Sequence, residues 1–267
     1  MTLAVGIDVG GTKIAAGLVE VASGRVLEQA QVPTRPERGG AAILADCAAL
    51  AARLGDGTLP TGIGLCEHVD LAGRPASAET IEWRDLDLAA AIVAPRVVLE
   101  SDVRAAALAE ATFGAGAGRS PFLFVIVGTG ASACLVIDGR PYAGWRGQAI
   151  TLGAPPVEEV ASGRALALAA GVERAEDVIS DPAHSGLLDA TVLEMARVLA
   201  VLANALDPAV IVLGGGLGTA QIFRERVDAA VRPLLAYPAS PPLEVVASAL
   251  GADGGIVGAA MRAVAGG

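Results

Sequence analysis

Apolar positions dominate residues 3–9, 14–20 and 25–32, with polar or glycine-containing breaks between them. Runs of that length predict a meander of strands, and Ala22, Ser23, Gly24 and Arg25 supply the turn between the second and third. Residues 41–54 are rich in Ala and Leu at helical spacing. Residues 62–66 predict a buried strand, 86–93 a short helix and 97–99 a further strand. Ser101 or Asp102 then stands where it can cap a helix that continues through Glu110. At Pro121 the pattern starts again. Residues 122–127 form an apolar run, a Gly-Thr-Gly turn follows, residues 133–137 form a second run, and Asp138-Gly139 marks a hairpin turn. Helices are predicted over 157–170, 186–206, 221–236 and 254–265, with a strand at 210–213. The glycines at 114, 116 and 118 break helical periodicity and place a boundary near residues 112–120.

Composition narrows the partners. A 267-residue chain can bury a substantial core, as one large domain or two lobes. A net charge of −10 argues against a nucleic-acid surface, which needs a basic stripe. Cys47, Cys66 and Cys134 lie far apart and form no CxxC pair, so neither a disulfide framework nor a zinc cluster is indicated. The longest apolar stretch, residues 198–220, is interrupted by Asn204, Asp207 and Pro208, and reads as helix, turn and strand instead of a membrane span. No basic-then-apolar leader is seen. The expectation is a cytoplasmic protein with no nucleic-acid or membrane partner.

The candidate chemistry begins at Asp8-Val9-Gly10-Gly11-Thr12-Lys13. Two glycines bring backbone N–H groups close to an anion, Thr12 offers a hydroxyl and Lys13 a positive charge. Asp8 is suited to hold a magnesium ion, directly or through a water. The plain alternative is a hairpin with a Gly-Gly turn. Spacing excludes a Walker loop, because GxxxxGK[ST] is absent. Gly128-Thr129-Gly130 fits a loose dinucleotide fingerprint, but a strand and hairpin follow it instead of the required helix, so a nicotinamide enzyme is disfavoured.

Five segments, in order, resemble the ROK family (repressors, open reading frames and sugar kinases) of the actin-like ATPase superfamily. Residues 8–13 resemble its first phosphate loop, 99–110 the segment with its catalytic Asp, and 127–130 its second phosphate loop. Residues 158–165 resemble the segment after its zinc loop, and 206–216 its adenosine loop. The resemblance implies an α/β, two-lobed actin-like ATPase (ribonuclease H-like) fold with the nucleotide site in the interlobe cleft. One lobe would comprise residues 1–115 with the C-terminal helix, 254–267, packed back on it, and the other residues 116–253. The strand begins at once, with no helix-turn-helix segment before it, which fits the kinase branch. ATP and Mg2+ would then be held by Asp8, Gly10, Gly11, Thr12 and Lys13 and by Gly128, Thr129 and Gly130, and the adenosine by Gly214, Gly215 and Gly216. Asp102 would be the general base that accepts the proton of the attacking hydroxyl, a role compatible with a helix cap. A homodimer is implied by the family alone.

Departures from the family pattern bear on the acceptor. Ser101 replaces the Asn before the catalytic Asp, and Thr80 replaces an Asn that binds a sugar hydroxyl. Glu67-His68 replaces Pro-Gly, and Gln148 and Thr151 replace the sugar-gripping Glu and His. Leu152-Gly153-Ala154-Pro155-Pro156 stands in place of the Cys-rich zinc loop, so structural zinc is not expected. Glu67, His68, Thr80, Ser101, Asp102, Gln148 and Thr151 are thus the substrate candidates. The expectation is a kinase of a small sugar, amino sugar or cyclitol. The competing reading is a catalytically weak, sugar-sensing or nucleotide-binding descendant.

Overall fold

The computed structural model describes residues 2–150, 152, 157–237 and 242–265. The chain divides into two compact units. One comprises Met1–Phe113, Ala143–Ala149 and Ala252–Gly267, the other Gly114–Tyr142 and Ile150–Gly251.

The first unit is built on a five-stranded sheet. Its strands are β1 (Leu3–Val9), β2 (Lys13–Glu20), β3 (Arg25–Pro33), β4 (Thr61–Leu65) and β5 (Val97–Ser101), in the order β3-β2-β1-β4-β5. β1, β2 and β3 pair antiparallel, whereas β4 and β5 join β1 in parallel. Every residue of β4 is buried, as a parallel strand covered on both faces requires. Helix α1 (Gly40–Gly55) buries Ile43, Leu44, Cys47, Leu50, Ala51 and Leu54, a three-to-four-residue stripe that packs with Val5, Ile7 and Ile14. Helix α2 (Asp102–Phe113) follows β5 without a break. The C-terminal helix, Gly254–Val264, lies against β1, β4 and α2. It approaches so closely that a Cβ on Gly6 would collide with the Ile256 carbonyl, and one on Gly258 with the carbonyl of Ala105.

The second unit repeats this plan. Its strands are β6 (Phe122–Val127), β7 (Ala131–Ile137), β8 (Arg140–Pro141), β9 (Val210–Gly214) and β10 (Glu244–Ala247), in the order β10-β9-β6-β7-β8. Again the hairpin strands are antiparallel and the two that follow are parallel. Helices α3 (Glu158–Ala161), α4 (Gly163–Ala170), α5 (Ala175–Ile179), α6 (Ser185–Leu206), α7 (Gly215–Thr219) and α8 (Gln221–Val231) belong to this unit. Leu188, Met195 and Leu199 of α6 and Phe223 and Val227 of α8 close its core over Ile211 and Leu213. No helix among the described residues is long and apolar enough to cross a membrane.

Three predicted helices differ from what forms. Residues 86–93 make single turns instead of a helix. Asp87 caps Ala90, and Leu88 and Ile92 are each drawn into the core. Eight residues before a proline cannot offset that tertiary demand. The segment 157–170 splits into α3 and α4 at Ser162, which is extended and whose hydroxyl caps the Ala165 N–H at 3.1 Å. The segment 221–236 leaves the α-helix at Val231, and Pro233 sits in the 3-10 turn that follows.

Candidate active site

β1, β4 and β5 run parallel and end together. The register sets Asp8 beside Gly64, Gly64 beside Glu100, and Leu65 beside Ser101. Asp8 and Asp102 therefore stand at the carboxyl edge of the strands, where open α/β sheets bind ligands. Oδ1 of Asp102 accepts the N–H of Val103 at 2.6 Å, at the start of α2, where the helix favours negative charge. Burial pushes the Asp102 carboxyl up to about 8. The charges of Asp8 and Glu67 add to the rise, and the Val103 N–H and Arg104 oppose it. Burial likewise raises Asp8 to about 6, with Lys13 opposing. A carboxyl tuned near neutral pH is well matched to taking a proton from a hydroxyl. Asp8 also rests on the first turn of the C-terminal helix. A Cβ on Gly255 would lie 2.6 Å from its carboxylate.

The loop from Gly10 to Lys13 is a closed turn, with the Gly10 N–H donating to the Lys13 carbonyl at 3.0 Å. Thr12 and Lys13 are exposed, and Lys13 is the only lysine in the sequence. Thr34 pins this loop from outside the motif. Its hydroxyl donates to the Gly10 carbonyl at 2.6 Å and its N–H to the Thr12 carbonyl at 3.0 Å, and it is fully buried. Sequence reasoning missed it, although pairing of Lys13 with Pro33 in the β2–β3 register puts residue 34 opposite residue 12. A β-bulge at Leu18 and Val19 shifts that register, so counting back from the turn misplaces it.

The acceptor candidates differ in exposure and in their hydrogen bonds. Thr80 is exposed, and its methyl group lies 3.4 Å from where a Cβ on Gly11 would be, so it borders the first loop. Ser101 is fully buried, and its hydroxyl makes no hydrogen bond among the described residues. Glu67 is buried too, but its carboxylate binds the chain itself. Oε1 accepts the N–H groups of Thr80 (2.7 Å) and Ile81 (2.9 Å), and Oε2 those of Glu79 (3.0 Å) and the Ser77 hydroxyl. All four acceptor positions of the Glu67 carboxylate are thus filled by its own chain. His68 contributes its backbone to the same loop, donating to Ser77 Oγ at 2.9 Å and accepting from Ala76 at 2.7 Å.

Gln148 is exposed on the segment Ala143–Ala149, which belongs with the first unit. Arg104 secures that segment. Its guanidinium is 4% exposed, pairs with Glu100 at 2.6 Å, and donates to the carbonyls of Gly147 and Val69. Gly147 has φ +77° and packs against Val69 and Asp70. Sequence reasoning did not single out Arg104. A buried arginine inside the run of alanines that opens α2 was the available signal.

In the second unit Gly128, Thr129 and Gly130 close the β6–β7 turn, with the Gly128 N–H donating to Gly130 at 2.9 Å. The break between α3 and α4 supports it, because the Gly163 N–H, which has no intrahelical acceptor at the start of α4, donates to the Gly128 carbonyl at 2.7 Å. Gly214 ends β9, and Gly215 and Gly216 open α7. Gly215 has φ +80°, and a Cβ there would press on the Val127 carbonyl at 2.5 Å, so the glycine surface lies directly beside the second loop.

Thr151 and the Gly153, Ala154, Pro155 and Pro156 positions fall outside the described residues. With the Cys-rich loop replaced by that sequence, elemental analysis is expected to find no stoichiometric zinc, and a chelator to leave the melting temperature unchanged. About one zinc per chain, ligated as in structural sites, would contradict this.

Comparison with known proteins identifies the family and the fold. The chain is 31% identical to a glucokinase of Streptomyces coelicolor over 97% of both chains. It is 30% identical to an N-acetylmannosamine kinase of Yersinia pseudotuberculosis, over 96% of this chain and 97% of that one. A ROK family glucokinase from Streptomyces griseus, solved with glucose and AMPPNP, superposes with a TM-score of 0.84 at 28% identity, over 97% of this chain and 98% of that one. The two mixed sheets are those of the actin-like ATPase fold. The ROK family model matches residues 4–265, and this protein belongs to the ROK family.

Proposed function

We propose that this protein is an ATP- and magnesium-dependent kinase that transfers the terminal phosphate of ATP to a hydroxyl of a small sugar, amino sugar or cyclitol. The observation that carries the reading is the edge of the first sheet. There a carboxyl raised to about 8, Asp102, neighbours a second raised carboxyl, Asp8, and Asp8 leads into the Gly10–Lys13 turn pinned by Thr34. The kinase relatives and the AMPPNP complex support ATP as donor and a sugar as acceptor.

In this reading Gly10, Gly11, Thr12 and Lys13, with Gly128, Thr129 and Gly130, bind the phosphates, and Gly214, Gly215 and Gly216 the adenosine. Asp102 accepts the proton as the hydroxyl oxygen bonds to the terminal phosphorus, and the bond to the bridging oxygen breaks to release ADP. Asp8 fits a magnesium ion, because two neighbouring half-buried carboxyls concentrate negative charge that a cation relieves. When bound, the ion would neutralise charge on the phosphates.

Glucose is expected to be a poor acceptor. Gln148 and Thr151 are neutral where the family carries Glu and His, and Ser101 is shorter than Asn. A charge-assisted hydrogen bond to a substrate hydroxyl is worth about 1.5–3 kcal/mol. Without two of them, the kcat/KM for glucose should fall roughly two or more orders of magnitude below that of the best acceptor. An ADP-release comparison of glucose, N-acetylmannosamine, pentoses and cyclitols checks this. Glucose ranking first would refute it, and ATP binding with turnover on no acceptor would favour the sensor reading.

A further inference from the structure

Glu67 supplies an anion to a site made by its own chain. The N–H groups of three successive residues, Glu79, Thr80 and Ile81, turn toward one point, with the Ser77 hydroxyl beside them. Such a run of backbone donors is a nest for a negatively charged group. Glu67 fills it from the segment that follows β4, the fully buried strand at the centre of the parallel set. The Ser77 hydroxyl in turn accepts from the His68 N–H at 2.9 Å, so the segment 67–68 and the loop 77–81 are held by interlocked bonds. Thr80 stands in the middle of the nest, and its methyl group lies 3.4 Å from where a Cβ on Gly11 of the first loop would be. The carboxylate therefore sets the distance between the loop that carries Thr80 and the turn that carries Lys13.

We infer that Glu67 is a positioning residue that determines acceptor choice: as an internal anion it fixes the 77–81 loop, and through Thr80 it shapes the space open to the acceptor ring. The inference rests on the sugar-kinase reading. It differs from a purely structural role because the part it holds borders the site, and because a small external anion could replace it. Removing the carboxylate leaves three backbone donors without their acceptor but keeps the nest itself.

The test uses the full chain and the variants Glu67→Ala, Glu67→Asp and Ser77→Ala. In Glu67→Ala the amides of residues 79–81 should exchange with deuterium faster than in the wild type, and formate at millimolar concentration should slow them again. The KM for the acceptor should rise roughly tenfold or more and the ranking of acceptors should change, with a smaller rise in the KM for ATP because Thr80 borders Gly11. Formate should restore part of the loss, and Glu67→Asp and Ser77→Ala should shift the same quantities less. Unchanged amide exchange would overturn the inference. So would an acceptor KM and ranking like those of the wild type in Glu67→Ala, or, should that variant not fold, in Ser77→Ala. If the wild type transfers phosphate to no acceptor, the kinase reading fails, and amide exchange with formate alone decides whether Glu67 holds the loop.

Discussion

Asp102→Asn should lower turnover by roughly 10²-fold or more and, above pH 8, melt at a higher temperature than the wild type. Both effects come from one property. The fold raises the Asp102 carboxyl from 3.8 to about 8, mainly by burial and then by the charge of Asp8. A group whose proton affinity is higher folded than unfolded stabilises the fold fully below its unfolded value. That contribution is lost as pH rises through the folded value. For Asp102 the loss runs from about pH 4 to about pH 8, so at pH 9 the wild type carries the whole cost of a buried charge. Asparagine keeps an oxygen for the Val103 N–H and carries no charge. At about 1.4 kcal/mol per pKa unit, reduced because the side chain is partly open to solvent, the gain is roughly 2–3 kcal/mol. For a protein of this size that is roughly 4–10 °C. Nucleotide binding should stay near normal, since the proposed base would act on the acceptor. Thermal melts from pH 5 to 9, with activity and ATP titrations, check all three. Retained turnover, ATP binding lost in parallel, or a melting difference that does not grow with pH would contradict the account.

Gly258→Ala should destabilise the protein by roughly 3 kcal/mol, although alanine is the better helix former by about 1 kcal/mol. Gly258 lies in the C-terminal helix where a Cβ would overlap the backbone carbonyl of Ala105 in α2. Neither backbone can give way alone, because the same helix is seated on β1 at Gly6 and on β4 at Gly62. Separation of the helices would also displace the start of α2, which carries Asp102, so activity should fall with stability. Gly186 in α6 is the control. A Cβ there meets nothing within 4 Å, and Gly186→Ala should leave stability unchanged or raise it by up to about 1 kcal/mol. Denaturant melts of the two variants make the comparison. Equal effects would show that close packing of the C-terminal helix does not govern stability.

What the sequence discloses follows from how local each signal is. The strands around Asp8 and around Gly128 were legible because each couples an apolar run to a glycine turn within about fifteen residues. That the second half repeats the strand, glycine turn and strand of the first was legible from the recurrence of that pattern. Residues 86–93 were misread because their apolar spacing suits a helix, whereas Leu88 and Ile92 answer to core contacts far away in sequence. The break at Ser162 had one local sign, a serine that can cap a helix, and one distant cause, the bond from Gly163 to Gly128, 35 residues earlier. The site shows the same division. Asp102 and the glycine loops announce themselves as motifs. Thr34 and Arg104 have partners 24 and 35 or more residues away, and the partners of Glu67, although only 10 to 14 residues on, depend on a loop folding back that no apolar periodicity marks.

The most direct test of the central claim is transfer of labelled phosphate from the γ position of ATP to a panel of sugars, amino sugars and cyclitols, by wild type and Asp102→Asn, with and without magnesium. The account predicts a labelled phosphate ester on at least one acceptor, formed one for one with ADP, dependent on magnesium and absent from Asp102→Asn. Release of ADP without any phosphorylated acceptor, or equal transfer by wild type and Asp102→Asn, would contradict it.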